Sequence, residues 1–358
     1  MSERSTVFSS PGAQNEEEYA QPTAINHELL EMARDGKLAG IRRTRMDLVE
    51  DWLDLGLSAE SICKHLSAFN QAVILAVLEF HAEVHPWLRQ CSFMEFGSGG
   101  REEQVLGSDQ DNGLLLKVDP DADELEDVTQ SIVIALDGAG LPLCEGGVMV
   151  SNADWRGDFE TWIDRLMNWL SNPVEKGHWQ SGLILDFRSV FGPGRDVLLL
   201  RQRLWEYVRN KPIALSLLVR ELTDYRLPLT FYGAFITEKE GPWHGFLNIK
   251  NSVLSHLTNC VRILALKYDL HPANTCDRLR LLIAQGHITA RHGEQLLQAW
   301  EYLQRKRLTI GLDCLKEGLP PHNYIKPVGL SKEEKMQLKS AVQTVEKLVR
   351  LVQAGAGL

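Results

Sequence analysis

Two aspartates separated by one residue, Asp109 and Asp111, have the type and spacing that most directly suggest chemistry in this sequence. They follow a Gly-rich stretch, GSGGREEQVLGS, and precede the apolar run GLLL. Alternation along an extended chain places both carboxylates on one side. Carboxylates held that close repel each other, and the usual resolutions are a shared proton or a divalent cation.

The glycines before these aspartates fit none of three common motifs. A dinucleotide fingerprint starting at Gly97 requires glycine where Glu102 stands, and a P-loop requires Gly-Lys-Ser/Thr where the sequence reads EEQ. A nucleophile elbow around Ser98 requires glycine where Phe96 stands. The N–H groups of a Gly-rich turn can still hold phosphate oxygens. Such a turn beside paired carboxylates is suited to metal-assisted transfer involving a nucleotide.

Two interpretations of the aspartates stay open from the residues alone. The segment SDQDN is also ordinary composition for a polar turn between a helix and a strand. A third aspartate, Asp186, lies in the apolar segment GLILDFRSVFG, where a buried carboxylate must be paired or metal-bound. It is either a third metal ligand or the partner of a salt bridge with Arg188.

The elements that would position these residues follow from periodicity. Residues 1–25 are polar and aperiodic, which predicts a disordered tail. Helical spacing after Ser58, an expected N-cap, predicts a helical N-terminal domain over 26–90. Over 91–196 the expected strands SFMEF, DNGLLLKV, GVMVSN and GLILDFRSVFG alternate with helices, which predicts an α/β layer. Helical spacing returns over 197–358, the expected C-terminal helical domain.

Composition excludes several classes of function. The 38 Lys and Arg are outnumbered by 48 Asp and Glu, and a chain of net charge −10 is not expected to bind nucleic acid. Six cysteines without a CxxC pair predict neither a zinc ribbon nor a disulfide framework. The longest apolar stretch, Ala72 to Leu78, is far shorter than the roughly 20 residues that span a bilayer. We expect a soluble cytoplasmic protein without a membrane partner.

The run GSGGREEQ, followed by SDQDN and a Leu-rich strand, resembles the nucleotidyltransferase superfamily built on the polymerase-beta-like palm. More narrowly, it resembles a bacterial nucleotidyltransferase family often fused to cyclic-nucleotide-binding and CBS domains and related to the uridylyltransferase that modifies the signal protein PII. The segments GVMVSNADWR, LILDFRSVFG, NIKNSVLSHLTNCVRILAL and LSKEEKMQLKSAV also carry the resemblance.

The resemblance implies an α+β or α/β fold, with a palm of a small mixed sheet and helices flanked by N- and C-terminal helical domains. It implies two Mg²⁺ or Mn²⁺ ions and transfer of a nucleoside monophosphate from ATP or UTP to a hydroxyl, releasing pyrophosphate. Carried over by position, the resemblance makes Asp109, Asp111 and Asp186 the catalytic and metal-binding triad. Gly97 and Ser98 would form the phosphate-binding turn, and Arg101 would contact a phosphate. Asp186 would also take the acceptor proton.

The acceptor is open at this stage. A protein side chain, as in PII modification for signal transduction, is expected first and a small molecule second. The alternative is a regulatory module that binds a nucleotide without transferring it. Because no cyclic-nucleotide or CBS domain is expected before the palm here, regulatory input is expected either to be missing or to come from a separate partner. The basic run Arg305, Lys306 and Arg307 is either a solvated helix face or a triphosphate contact.

Overall fold

Within the described part of the chain, three helices precede the sheet. They are α1 (His27–Arg34), α2 (Ile41–Asp54) and α3 (Ala59–Val84). The Ser58 side chain accepts a hydrogen bond from the Ser61 N–H, which confirms the predicted N-cap of α3. The computed structural model describes residues 26–171, 182–222, 227–230 and 232–355, so the predicted tail lies outside the described residues.

The central sheet has four strands in the order β3-β2-β1-β4. The strand β1 (Ser92–Phe96) pairs antiparallel with β2 (Asn112–Leu115) and with β4 (Phe187–Phe191). The strand β3 (Arg156–Gly157) lies parallel to β2. Every residue of β1 and β2 is buried. The fold is therefore the small mixed sheet flanked by helices that was predicted.

The remaining helices of the described residues surround this sheet, and the last of them ends at Gly355. They are α4 (Gly97–Gly100), α5 (Ala122–Gly138), α6 (Phe159–Ser171), α7 (Arg195–Asn210), α8 (Pro212–Glu221), α9 (Ser255–Lys267), α10 (Thr275–Ala284), α11 (Ala290–Lys316) and α12 (Lys332–Gly355). A π-helical turn, Lys250–Leu254, leads into α9. A short antiparallel ribbon pairs β5 (Leu247–Asn248) with β6 (Tyr324–Ile325).

Side chains alternate between the two faces of the sheet, as the period of a strand requires. Phe93 and Leu114 belong to a core shared with α3 and α5. Phe96 and Leu115 belong to the other core, which contains Trp162 of α6 and continues without a break into α9, α11 and α12. The C-terminal helices are thus packed onto the palm, where they can contribute side chains to its site.

The helix α3 is long and apolar enough to cross a bilayer by length and composition alone. Its apolar side chains are instead enclosed by the protein, and Ile62, Leu66 and Leu78 are fully buried. The helix packs against α1, α5 and α11 in the structure. It therefore has the packing of a core helix.

Three of the predicted strands differ from the structure. The strand predicted over DNGLLLKV is limited to Asn112–Leu115. The segment GVMVSN is not a strand, because a side chain replaces the strand ladder there: Asn112 Oδ1 accepts from the Val150 N–H at 2.8 Å. The strand of this region is β3, a few residues later. In GLILDFRSVFG only Phe187–Phe191 is a strand, so Asp186 precedes β4.

Candidate active site

The site begins where β1 ends and the chain turns at Gly97. Gly97 has a φ of +57°, and a Cβ at this position would lie 2.8 Å from Oδ2 of Asp111. The Gly97 N–H donates to the Asp186 carbonyl at 3.0 Å, and the Phe96 N–H donates to the Asp111 carbonyl at 2.8 Å. The predicted phosphate-binding turn, Gly97 and Ser98, therefore lies against the backbone of both aspartates.

Asp109 and Asp111 are held on one side of the chain by the residue between them. Gln110 is buried, and its side-chain amide donates to the carbonyls of Val133 and Leu141 at 3.1 and 2.9 Å. The two flanking side chains consequently face the other way. Their carboxylates and the Cys144 sulfur lie within 4.8 Å of one another. The structure thus brings the two aspartates together as the alternation predicted.

The carboxylate pair is electrostatically unfavourable without a cation. Burial, and then the charge of Asp109, raise the pKa of Asp111 to about 7. A hydrogen bond from the Cys144 thiol and the charge of Lys250 oppose this rise. A buried carboxyl whose pKa is raised in this way is typical of a functional centre.

Cys144 completes this group and was not predicted from the sequence. Its side chain is 8% exposed, and burial, followed by the charge of Asp111, raises the pKa of the thiol to about 12. The backbone N–H groups of Val148 and Gly146 hydrogen bond to the sulfur and oppose the rise. Its place thirty-three residues beyond Asp111 in sequence, in a loop, gave no local signal for a ligand role.

The structure does not bring Asp186 into the group formed by the other two aspartates. Its fully buried carboxylate is instead surrounded by three guanidinium groups. Arg262, Arg278 and Arg101 approach it at 2.6, 2.8 and 3.1 Å. Burial alone would raise the pKa of Asp186, but these arginines outweigh it and hold that pKa well below its usual range.

The partner suggested by sequence for Asp186, Arg188, pairs elsewhere. Arg188 lies opposite Glu95 in the β1–β4 register, and its guanidinium donates to Glu95 at 2.9 Å and to Glu102 at 3.0 Å. Cross-strand neighbours are the natural partners of a strand residue. Asp186 is therefore in a salt-bridge network, as one interpretation required, but with different arginines.

Arg101, the predicted phosphate contact, is engaged inside the protein. It donates to Glu103 at 2.8 Å and to Asp186 at 3.1 Å, and its side chain is 14% exposed. Asn274 at the N-terminus of α10 donates to its carbonyl at 2.9 Å. In this arrangement Arg101 ties the Gly-rich turn to the C-terminal helices.

Two cations of the C-terminal helices, Lys250 and Arg307, act on the aspartate pair together with Arg101, whose charge also opposes the rise in the pKa of Asp111. Burial, and then the charge of Arg307, lower the pKa of Lys250, while Asp109 and Asp111 oppose the change. Burial lowers the pKa of Arg307 to about 10, and Asp109 is among the charges opposing it. Arg307 donates to Asn323 at 2.6 Å.

The three residues of the basic run on α11 point in different directions. Arg305 donates to Glu301 at 3.0 Å and Lys306 to Glu334 at 2.6 Å. Arg307 points inward and is 7% exposed. Two residues of the run thus lie on the outer faces of α11, and Arg307 lies near the palm.

Two family models match the chain. The model described as "Putative nucleotidyltransferase DUF294" matches residues 43–176, which include the Gly-rich turn and the aspartate pair. The model described as "Putative nucleotidyltransferase substrate binding domain" matches residues 212–355, which include Lys250 and Arg307. The chain belongs to this nucleotidyltransferase family. Asp186 lies between the two matched segments of the family. No curated protein matches the chain.

Membership in the nucleotidyltransferase family supports a general transferase role with a nucleoside triphosphate as substrate. Nucleotidyltransferases generally use divalent metals, and the donor set fits one: two close carboxylates and a thiol. The other buried carboxylates near the turn, Asp186, Glu95 and Glu103, each have an arginine partner. Among the described residues, Asp109 and Asp111 have no cationic side chain within ion-pair distance.

Proposed function

We propose that this protein transfers a nucleoside monophosphate from ATP or UTP to a hydroxyl group of a protein and releases pyrophosphate. The observation that carries the proposal is the aspartate pair, without an ion-pair partner among the described residues, directly beside the Gly97 turn in a member of the nucleotidyltransferase family. Mg²⁺ or Mn²⁺ is the expected ion, and the resemblance implies two.

Asp109 and Asp111 would hold the divalent ions. Bound there, the ions would supply charge neutralisation for the triphosphate and lower the pKa of the attacking hydroxyl. The protein holds the two carboxylates in place through the backbone between them. The Gln110 side chain donates to buried carbonyls on the opposite side of the chain, and the Phe96 N–H donates to the Asp111 carbonyl. Holding the reacting groups in line is a major part of catalysis of phosphoryl transfer.

The triphosphate would lie between the Gly-rich turn and the C-terminal helices. The N–H groups of Ser98 and Gly99 in the single-turn α4 can donate to phosphate oxygens. Lys250 and Arg307 would supply positive charge from the opposite side. We therefore assign the phosphate-contact role expected of Arg101 to these two residues.

Asp186 would position the turn and would not bind a metal. Its carbonyl accepts from the Gly97 N–H, and a Cβ at Gly100 would come within 2.3 Å of that carbonyl oxygen. Its carboxylate joins the palm to Arg262 of α9 and Arg278 of α10. Fixing Asp186 therefore fixes the Gly-rich turn relative to α9 and α10, and α9 continues the π-helical turn that carries Lys250.

A protein acceptor is favoured over nucleic acid by the net charge of −10, since tRNA or DNA ends would require clustered positive charge. A small-molecule hydroxyl is the second choice, and regulation would come from a separate partner protein. The six cysteines are all free and buried, which supports a cytoplasmic location.

The proposal is tested by incubating the purified chain with α-labelled nucleoside triphosphates, Mg²⁺ or Mn²⁺, and fractions of a cell extract. We expect label on a protein band, with ATP and UTP distinguished in parallel reactions. Label that enters only small molecules would support the second acceptor class. Tight nucleotide binding without any transferred label would instead identify a regulatory module and contradict the proposal.

A further inference from the structure

We propose that Cys144 is a third ligand of one of the two divalent ions at the Asp109–Asp111 pair, and that this one position binds a borderline-soft transition ion, such as Co²⁺ or Zn²⁺, more tightly than Mg²⁺, while the other position takes the Mg²⁺ or Mn²⁺ of the proposed function. The inference takes one point from the proposed function, namely that the Asp109–Asp111 pair is the metal site. The position differs from that of the Mg²⁺ that a nucleoside triphosphate carries on its own phosphate oxygens.

The spacing of the donor atoms fits one ion. One oxygen from each carboxylate and the Cys144 sulfur lie within 4.8 Å of one another. Around a tetrahedral ion with metal–oxygen and metal–sulfur bonds of about 2.1 and 2.3 Å, neighbouring ligand atoms are about 3.5 Å apart. A shift of roughly 1 Å, within the range of side-chain rotation, would bring the three donors to that spacing.

The position of the thiol is fixed by the loop that carries it. The Gln110 N–H donates to the Pro142 carbonyl at 2.8 Å, and the Asn112 N–H donates to the Val148 carbonyl at 3.0 Å. These bonds pin the loop on both sides of Cys144 to the segment that carries the aspartates. The closeness of sulfur and carboxylates is therefore built into the backbone.

The sulfur changes which ions the site accepts. Mg²⁺ requires near-ideal octahedral coordination by oxygen, whereas thiolates select softer ions such as Zn²⁺. Binding would replace the S–H bond with a metal–sulfur bond and release the proton to solvent.

Titration of the metal-free full chain with Co²⁺ tests the assignment, because a cobalt–thiolate bond produces a charge-transfer absorption in the near ultraviolet. We expect this band in the wild type and its loss in Cys144→Ser, together with at least about tenfold weaker Co²⁺ binding. Mg²⁺ affinity, measured by competition, should change little. The matched control is Cys314→Ser, since Cys314 and Cys144 are 6% and 8% exposed.

A wild-type chain that binds Co²⁺ without the sulfur band would overturn the inference, whether or not the serine variant folds. So would a band that persists in Cys144→Ser and disappears in Cys314→Ser. These outcomes are separable from the proposed function, which label transfer measures. Transfer without a sulfur band would refute the thiol ligand alone, and a sulfur band without transfer would refute the transferase alone.

Discussion

Replacing Asp186 by Asn distinguishes a positioning carboxylate from a metal ligand. Three guanidinium groups surround Asp186, and Glu103 adds one more carboxylate beside Arg101. The substitution leaves three positive charges facing one negative charge in a region where Arg278 is fully buried. Removing one partner of a buried ion pair costs about 3–5 kcal/mol, and we expect a loss of that size in the free energy of unfolding.

The corresponding substitution in the Asp109–Asp111 pair should have a different effect on stability. In metal-free protein, Asp109→Asn removes a like-charge repulsion and should leave stability unchanged or raised. A surface control is Asp47→Asn, which breaks an exposed ion pair with Arg43 and should cost no more than about 0.5 kcal/mol. Urea unfolding followed by tryptophan fluorescence measures all three variants.

The reasoning about Asp186 fails on a specific result. One contradicting result is an equal urea midpoint for Asp186→Asn and Asp47→Asn together with loss of transfer in Asp186→Asn. It would show that the Asp186 carboxylate binds a metal and does not stabilise the fold. A drop in stability for Asp109→Asn as large as that for Asp186→Asn would also contradict the distinction.

Three further predictions follow from the same geometry. Gly97→Ala places a Cβ 2.8 Å from the Asp111 carboxylate at a φ of +57°, and it should destabilise the protein by about 1–2 kcal/mol in thermal unfolding. In the control variant Gly138→Ala the added Cβ meets open space, so its stability should be unchanged or raised. Burial and the charge of Asp109 raise the pKa of Asp111 to about 7, so the stability that this carboxyl contributes to the metal-free protein should be lost as the pH rises from 4 to 7. The difference in the free energy of unfolding between the wild type and Asp111→Asn, measured by urea titration, should therefore fall over that range, and a constant difference would refute the pKa assignment. Lys250→Ala should raise the KM for nucleotide about tenfold or more without unfolding the chain, and the exposed Lys347→Ala should not; equal KM values would remove Lys250 from the triphosphate site.

Local patterns were sufficient to predict the palm and half of its site. The buried strand before Gly97, the Gly-rich turn and the alternation of Asp109 and Asp111 are all properties of neighbouring residues, and the structure retains them. Helical spacing likewise predicted the helical flanks. Features set within one or two elements could therefore be derived from the sequence.

The remainder of the site depends on contacts between distant segments. Arg262 lies 76 residues beyond Asp186, and only tertiary packing brings it to that carboxylate. The pairing with Arg188 that sequence proximity suggested is prevented by the sheet, which places Arg188 opposite Glu95. Lys250 stands at the start of a π-helical turn, an irregularity often found at functional sites, but periodicity cannot distinguish it from a regular helix start.

The C-terminal helices contribute residues both to the proposed site and to the ion-pair network around Asp186. They carry the two cations that face the aspartate pair and two of the three arginines that hold Asp186. A nucleotide between turn and helices would therefore contact both segments matched by the family models. Small changes in packing between them would alter the distance between phosphate contacts and metal ligands.

Pyrophosphate release by the purified chain, measured with the acceptor fraction, a nucleoside triphosphate and Mn²⁺, tests the central claim most directly. If Asp109 and Asp111 hold the ions needed for transfer, the wild type should release one pyrophosphate per label transferred, and Asp109→Asn and Asp111→Asn should release none while remaining folded. Release at the wild-type rate by either folded variant would contradict the account.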